Sequence, residues 1–243
     1  GFSHHLRHLG GHEPRRPDFL PLLSATLLAQ GCNFGFARMA QMADISANRL
    51  AWCTAWHLRE DTLQDATNVL VNFPHGLPLS QHWGGGTLSS SDGQRIPVAG
   101  KMRNATALPR YFRYQGVTYY SWTSDQLSQY GTKVIPATVR DATYVLDAIL
   151  DNETELTIVE HATDTAGYTD LVFCLFDLLG MQFCPRLRDI GDRQLYKLKT
   201  DTTIYPQLDA RLIGRTDLSR LIERWDDLAW VAGSIKRGYA TSL

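Results

Sequence analysis

Cysteine is scarce in this chain, and none is paired in sequence. The four residues, Cys32, Cys53, Cys174 and Cys184, form no Cys-x-x-Cys motif and fall mostly within apolar runs. That argues against a disulfide framework or a zinc ribbon and for buried thiols in a reducing compartment. Long apolar runs are missing too. A membrane-spanning helix needs about 18 uninterrupted apolar residues, and even Leu171 to Gly180 is broken by Asp177. With no signal-peptide pattern either, the chain reads as cytoplasmic. Charge of one sign is also lacking, since 24 Lys and Arg face 25 Asp and Glu, for a net charge of −1. Bulk attraction to nucleic acid is thereby excluded, and any such binding must come from local clustering.

What is present suits a globular protein. At 243 residues and 44% hydrophobic content the chain can bury a sizeable core, as one domain or as a domain with a helical attachment. Residues 1–17 are polar and hold four of the eight histidines, His4, His5, His8 and His12, and read as a leader or linker rather than a metal site. A helical segment is expected over 18–82. Asp18 can cap a run with Leu22, Leu23, Leu27 and Leu28, and Ser46 a run with Leu50, Cys53 and Trp56.

The texture changes at Trp83-Gly84-Gly85-Gly86. Strands are expected near 87–92, 95–99, 110–114 and 117–122, a helix over 138–150 on the stripe Val139, Ala142, Leu146 and Ile149, and a strand over 156–162. A helix over 168–179 and a short strand over 181–185 follow. The pattern is α/β, a mixed sheet with helices on its faces. After Asp189 strand character is lost. Residues 207–238 look helical, with Leu218, Leu221, Trp225, Leu228 and Val231 along one face.

Two aspartates sit where strand-like runs meet glycine. Asp92 lies in Ser89-Ser90-Ser91-Asp92-Gly93-Gln94, and Asp164 in His161-Ala162-Thr163-Asp164-Thr165-Ala166-Gly167. On neighbouring strands their carboxylates would converge and repel unless a cation lay between them, and magnesium suits that role. Two such ions about 4 Å apart could activate a hydroxyl and stabilise the leaving oxygen of a phosphodiester. The plainer reading is that each aspartate caps a turn.

Between them lies a charge anomaly hidden by the total. From Gly93 to Ser124 there is no acidic residue, while Arg95, Lys101, Arg103, Arg110 and Arg113 are interleaved with Tyr111, Phe112, Tyr114, Tyr119, Tyr120 and Trp122. Cations for phosphates beside rings for exposed bases suit a nucleic-acid groove. A solvated hairpin with its aromatics in the core is the alternative. Arg140, Arg186 and Arg188 could extend the positive surface, and Arg95 and Arg140 are candidates for steadying phosphates.

Several fixed-order motifs resemble the catalytic region of the Tn-three family of replicative transposases. They are Trp83-Gly84-Gly85-Gly86, Ser91-Asp92-Gly93-Gln94-Arg95, Gly116-Val117-Thr118, Ser124-Asp125-Gln126, Arg140-Asp141, Thr163-Asp164-Thr165-Ala166-Gly167-Tyr168, Pro185-Arg186 and Trp225-Asp226-Asp227. The resemblance runs from about residue 20 to the end. It implies a ribonuclease-H-like core over 83–189, the start of a helical insertion over 190–243, and an Asp-Asp-Glu site holding two Mg2+ or Mn2+ ions in the intact enzyme. Asp92 matches the family's first catalytic aspartate and metal ligand, and Asp164 its second. The implied activity is cleavage at the terminal inverted repeats of a class II transposon, with water as nucleophile, followed by attack of the freed 3′-hydroxyl on target DNA. A homodimer is implied for the full-length protein.

The family's catalytic glutamate lies in an Asn-Lys-Gly-Glu-like helix, and no such segment occurs here. Glu223, the only glutamate after Glu160, sits in Leu221-Ile222-Glu223-Arg224-Trp225, which resembles the insertion instead. The expectation is a fragment with two of three carboxylates and negligible strand transfer on its own. Three other readings stand beside it. They are another metal nuclease of the same fold, a non-catalytic DNA-binding module, and a carboxylate-pair glycosidase, the last weakened by the basic segment between the acids.

Overall fold

The computed structural model describes residues 1–12, 17–111 and 113–241, so Phe112 and positions 13–16 of the expected leader lie outside the described residues. The chain forms two compact units, residues 1–77 with 153–155, and residues 78–152 with 156–243.

The first unit is helical, as the apolar spacing before residue 78 requires. Helices α1 (Phe19–Gly31), α2 (Gly35–Ala43), α3 (Ala47–His57) and α4 (Glu60–His75) enclose Leu22, Leu23, Ala29, Met39, Leu50, Cys53 and Ala66. Residues 1–12 belong to this core and are no separate leader, because Leu6 is buried with the helices. The carbonyl of Leu6 lies 2.9 Å from Nδ1 of His57, Leu9 N–H donates to the Trp56 carbonyl, and His8 stacks on Trp56 with ring centres 4.9 Å apart. The two expected caps differ in detail. Neither Asp18 nor Ser46 accepts a capping hydrogen bond through its side chain, and Asp18 pairs with Arg49 instead.

The second unit is built on a six-stranded mixed sheet. Strand β1 (Leu88–Val98) is its centre. It is one strand where two were expected, since its ladder to β3 (Gln115–Ser124) runs unbroken from Ser89↔Ser124 to Val98↔Gln115 through Gly93. The strand expected at 110–114 is absent among the described residues, and β2 is only Thr106–Ala107, paired with β3. Strand β4 (Gln129–Pro136) pairs antiparallel with β3 and was not anticipated, its alternation being masked by Gly131 and the terminal proline. Gly131 is needed there, because a Cβ would come within 2.4 Å of the Ala148 Cβ.

The helix expected over 138–150 shrinks to a 3-10 turn at Asp141–Thr143 and α5 (Asp147–Leu150). Its stripe is nonetheless largely interior, with Ala142, Leu146 and Ile149 buried. The spacing reported burial, while β-branched Thr138, Val139 and Thr143 disfavoured a continuous helix. Strand β5 (Glu160–Thr163) then pairs parallel to β1, α6 (Asp170–Leu178) follows with Thr169 as a side-chain N-cap, and β6 (Gln182–Phe183) pairs parallel to β5. Antiparallel strands on one side of β1 and parallel strands on the other, flanked by helices, make the mixed ribonuclease-H-like α/β architecture.

Beyond Asp189 strand character is not lost: β7 (Tyr196–Leu198) and β8 (Gly214–Thr216) form a two-stranded parallel sheet. The helical stretch is α7 (Ser219–Glu223) and α8 (Trp225–Lys236). Its interior residues are Ala232 and Ile235, whereas Leu221, Trp225 and Val231 of the expected stripe are exposed. Three of the four thiols are also exposed. Only Cys53 is buried, because Cys32, Cys174 and Cys184 fall at a helix end, on the outer side of α6 and just after an edge strand. Among the described residues no helix is long and apolar enough to cross a membrane.

Candidate active site

Alternation along β1 sorts its residues onto two faces. Ser89 and Ser91 are buried, while Ser90 and Asp92 are exposed. The parallel ladder to β5 ends at Ser91↔Thr163, so the next residues along the two chains are Asp92, still in β1, and Asp164, just past the end of β5. His161 and Thr163 are buried and Asp164 is exposed, which puts the two aspartates on the same open side at the carboxyl end of β5. The sheet therefore joins two acids 72 positions apart in order.

Each carboxylate is oriented through one oxygen. Asp92 Oδ1 accepts from the Gly93 N–H at 2.8 Å, and Asp164 Oδ1 from the amides of Ala166 and Gly167 at 2.8 and 3.2 Å. Asp164 thus does cap a turn, the 3-10 turn Thr165–Gly167. The other oxygen of each has no hydrogen-bond partner among the described residues. Two outward carboxylate oxygens on neighbouring strands fit a hard divalent ion that keeps several waters, which is how Mg2+ is bound. The shell is incomplete, because no group of three metal-ligating side chains occurs among the described residues.

Behind the acids lies a buried hydroxyl and imidazole network that sequence reasoning missed. His161 is held on both sides, with Nδ1 2.7 Å from Ser89 Oγ and Nε2 2.8 Å from Ser91 Oγ. Ser91 Oγ lies 2.7 Å from Tyr120 OH, and Tyr130 OH donates to Ser89 Oγ at 3.0 Å. A neutral imidazole can donate through one nitrogen and accept through the other, which matches two hydroxyl partners. Burial pushes the His161 pKa down to about 3, so the ring is uncharged at neutral pH. Burial likewise pushes Tyr130 up to about 12 and raises Tyr120, which also feels the charges of Asp141, Asp92 and Asp164. The run Ser89-Ser90-Ser91 immediately before Asp92 was the available signal, since serines alternating inward on a central strand require polar partners.

The basic residues named from the sequence are all exposed: Arg95, Lys101, Arg103, Arg110, Arg113 and Arg140. None makes an ion pair among the described residues. Arg95 and Arg110 both lie against the Tyr111 ring, 4.6 and 5.5 Å from its centre, and Arg113 lies against Tyr114. Arg140 donates to the Tyr168 carbonyl at 3.0 Å, just after the turn that Asp164 caps. The Arg186 N–H bonds the Thr163 carbonyl and the Arg188 N–H bonds Thr165 Oγ1, which brings that basic stretch beside Asp164. The aromatics divide. Tyr120 and Trp122 are core, whereas Tyr111 and Tyr114 are exposed.

The profile described as the Tn3 transposase DDE domain matches residues 1–243. The chain belongs to that family. This DDE-domain chain is 40% identical over 239 residues to the transposase for transposon Tn1546 of Enterococcus faecium, and 40% identical over 245 residues to that for Tn501 of Pseudomonas aeruginosa. It is 37% identical over 241 residues to the transposase for transposon gamma-delta of Escherichia coli strain K12. These matches take in 98–100% of the DDE-domain chain but 24% of each relative, so the chain spans about a quarter of the length of the curated relatives it matches.

Proposed function

We propose that this chain is the part of a DNA transposase that brings Asp92 and Asp164 to the scissile phosphodiester at a transposon end and then to target DNA. The observation that supports this best is the β1–β5 register, which sets the two acids side by side on the open face of the sheet. Asp92 and Asp164 would hold Mg2+ or Mn2+ through their outward oxygens. The bound ions supply nucleophile activation and stabilisation of the leaving oxygen. Gly93, Ala166 and Gly167 fix the carboxylates through their amides, so little reorganisation is needed when a cation arrives. Arg140, bonded to the Tyr168 carbonyl beside the Asp164 turn, and Arg95, three residues along β1 from Asp92, would steady phosphates, while Lys101, Arg103, Arg110 and Arg113 would track the DNA backbone, with Tyr111 and Tyr114 offering stacking faces. Two acids make a partial shell, and the third carboxylate of the Asp-Asp-Glu set would come from outside these residues. The assembled transposase would act as a homodimer on terminal inverted repeats.

The test uses the purified chain with a transposon-end duplex and Mn2+. Duplex binding that weakens steeply with salt, Mn2+ binding lost in Asp92→Asn, and negligible strand joining are the expected results. Efficient joining by the chain alone would show the two-acid assignment to be wrong. Salt-insensitive DNA binding would remove the basic surface from the account. A second reading, a DNA-holding module with structural aspartates, is favoured by the lack of a three-acid group among the described residues. It requires Mn2+ binding to be absent or indifferent to Asp92→Asn.

A further inference from the structure

A third acid lies against the covered side of β1. Asp141 belongs to the 3-10 turn Asp141–Thr143, which packs on the turn Thr165–Gly167 that Asp164 caps. It is 6% exposed, and it presses so closely on Gly93 that a Cβ there would lie 2.9 Å from Asp141 Oδ2 and 2.8 Å from Thr118 Cγ2. The residue beside Asp92 is glycine because this acid occupies the space a side chain would need.

The surroundings leave Asp141 electrically unfinished. Its Oδ1 has no hydrogen-bond partner among the described residues, and the buried hydroxyls of Thr118 and Thr163 have none either. No ion pair reaches it among the described residues. Burial opposes its charge most, the Arg95 cation favours it from a distance, and the charges of Asp164 and Asp92 both act on it unfavourably. A buried acid with an idle oxygen and two like charges nearby is costly as the molecule stands. A divalent cation on the Asp92 and Asp164 carboxylates would reverse the sign of that local field.

We propose that Asp141 is a positioning residue of the metal site, an acid set under Gly93 whose negative charge strengthens divalent-cation binding by the Asp92 and Asp164 pair on the opposite face. The coupling is reciprocal, so a cation that Asp141 helps to hold also relieves the isolation of Asp141. The proposal rests on the reading of Asp92 and Asp164 as metal ligands, and the experiment separates the two.

The 243-residue chain is titrated with Mn2+, and the free ion is followed by its paramagnetic resonance, for the parent, Asp141→Asn and Asp92→Asn. Thermal melting ensures that each is compared while folded. Asp92→Asn is expected to lose binding and Asp141→Asn to weaken it about five-fold, the effect of one unit charge several ångströms away in a partly solvated site. Unchanged affinity in Asp141→Asn, with binding lost in Asp92→Asn, overturns the proposal alone. Unchanged affinity in Asp92→Asn overturns the metal reading and the proposal with it. Should Asp141→Asn fail to fold, the parent chain still decides. In a Mg2+ titration of carboxyl-13C-labelled protein, the Asp141 resonance should move with the same midpoint as that of Asp92, and a stationary Asp141 resonance overturns the proposal.

Discussion

Alternate residues of β1 live in different solvents. Ser89 and Ser91 face inward, where both of their hydroxyls are matched to His161, Tyr120 or Tyr130, while Asp92 between that network and Gly93 faces water with one carboxylate oxygen unclaimed. The two inward serines use their hydrogen-bonding capacity within the protein, which stiffens the strand around them. The outer side keeps capacity in reserve, which the proposed metal site would need. One strand thus carries a hydrogen-bonded pair of serines on one face and an acid with an unclaimed oxygen on the other, and the network behind the serines helps to fix where that acid stands.

The largest expected effect attacks the inner face. His161→Phe removes a partner from both Ser89 and Ser91 and should destabilise the chain by about 2–4 kcal/mol in urea unfolding. The pH dependence sharpens the same point. The folded-state pKa of His161 lies near 3, below the unfolded value near 6.5, so its neutral ring imposes no penalty above pH 6.5. As pH falls below 6.5 the unfolded chain takes up a proton that the folded chain refuses. Stability should then fall by about 1.4 kcal/mol per pH unit from this group until pH 3. A parent chain that loses no more stability than His161→Phe over that window would show that the ring is not held neutral.

A smaller effect probes the boundary between the faces. Gly93→Ala places a methyl against Thr118 and Asp141, and overpacking of this kind should cost about 1–3 kcal/mol, read as a lower urea midpoint. Melting unchanged from the parent would mean that the turn carrying Asp141 yields easily, and that Asp141 is not fixed beneath the site.

The smallest effect belongs to the outer face. Asp92→Asn removes an exposed charge beside another exposed carboxylate, and stability should stay within about 0.5 kcal/mol of the parent. A large loss on denaturation would place Asp92 among the structural groups and erase the contrast between the faces.

Much of the candidate site was legible before folding. Asp92 and Asp164 stood out as a pair, each acid set where a strand-like run meets glycine, and the basic stretch stood out because acids are absent from Gly93 to Ser124. Asp141 and His161 were quoted only as neighbours within motifs. Neither carries a local signal, since the role of Asp141 depends on how closely its turn approaches Gly93 and that of His161 on two serines brought beside it by the β1–β5 ladder. Element boundaries failed where spacing reported burial rather than conformation. Residues 138–150 kept their apolar stripe without being one helix, and Gly131 hid β4 because its close contact with Ala148 cannot be read along the chain.

The sequence by itself determined the helical character of the first unit, the α/β character of the second, the family, and the identity of the two outward acids. These follow from the periodicity of apolar residues and from fixed-order motifs, both of which are properties of the chain read in line. Tertiary structure alone decided that the two acids share a face, that a neutral histidine knits the strands beneath them, and that a third acid lies on the other side. Those facts depend on strand register and on which turn fills the space above a glycine. Both are settled by packing between segments dozens of residues apart, where side-chain volume and unmatched polar atoms leave a single arrangement.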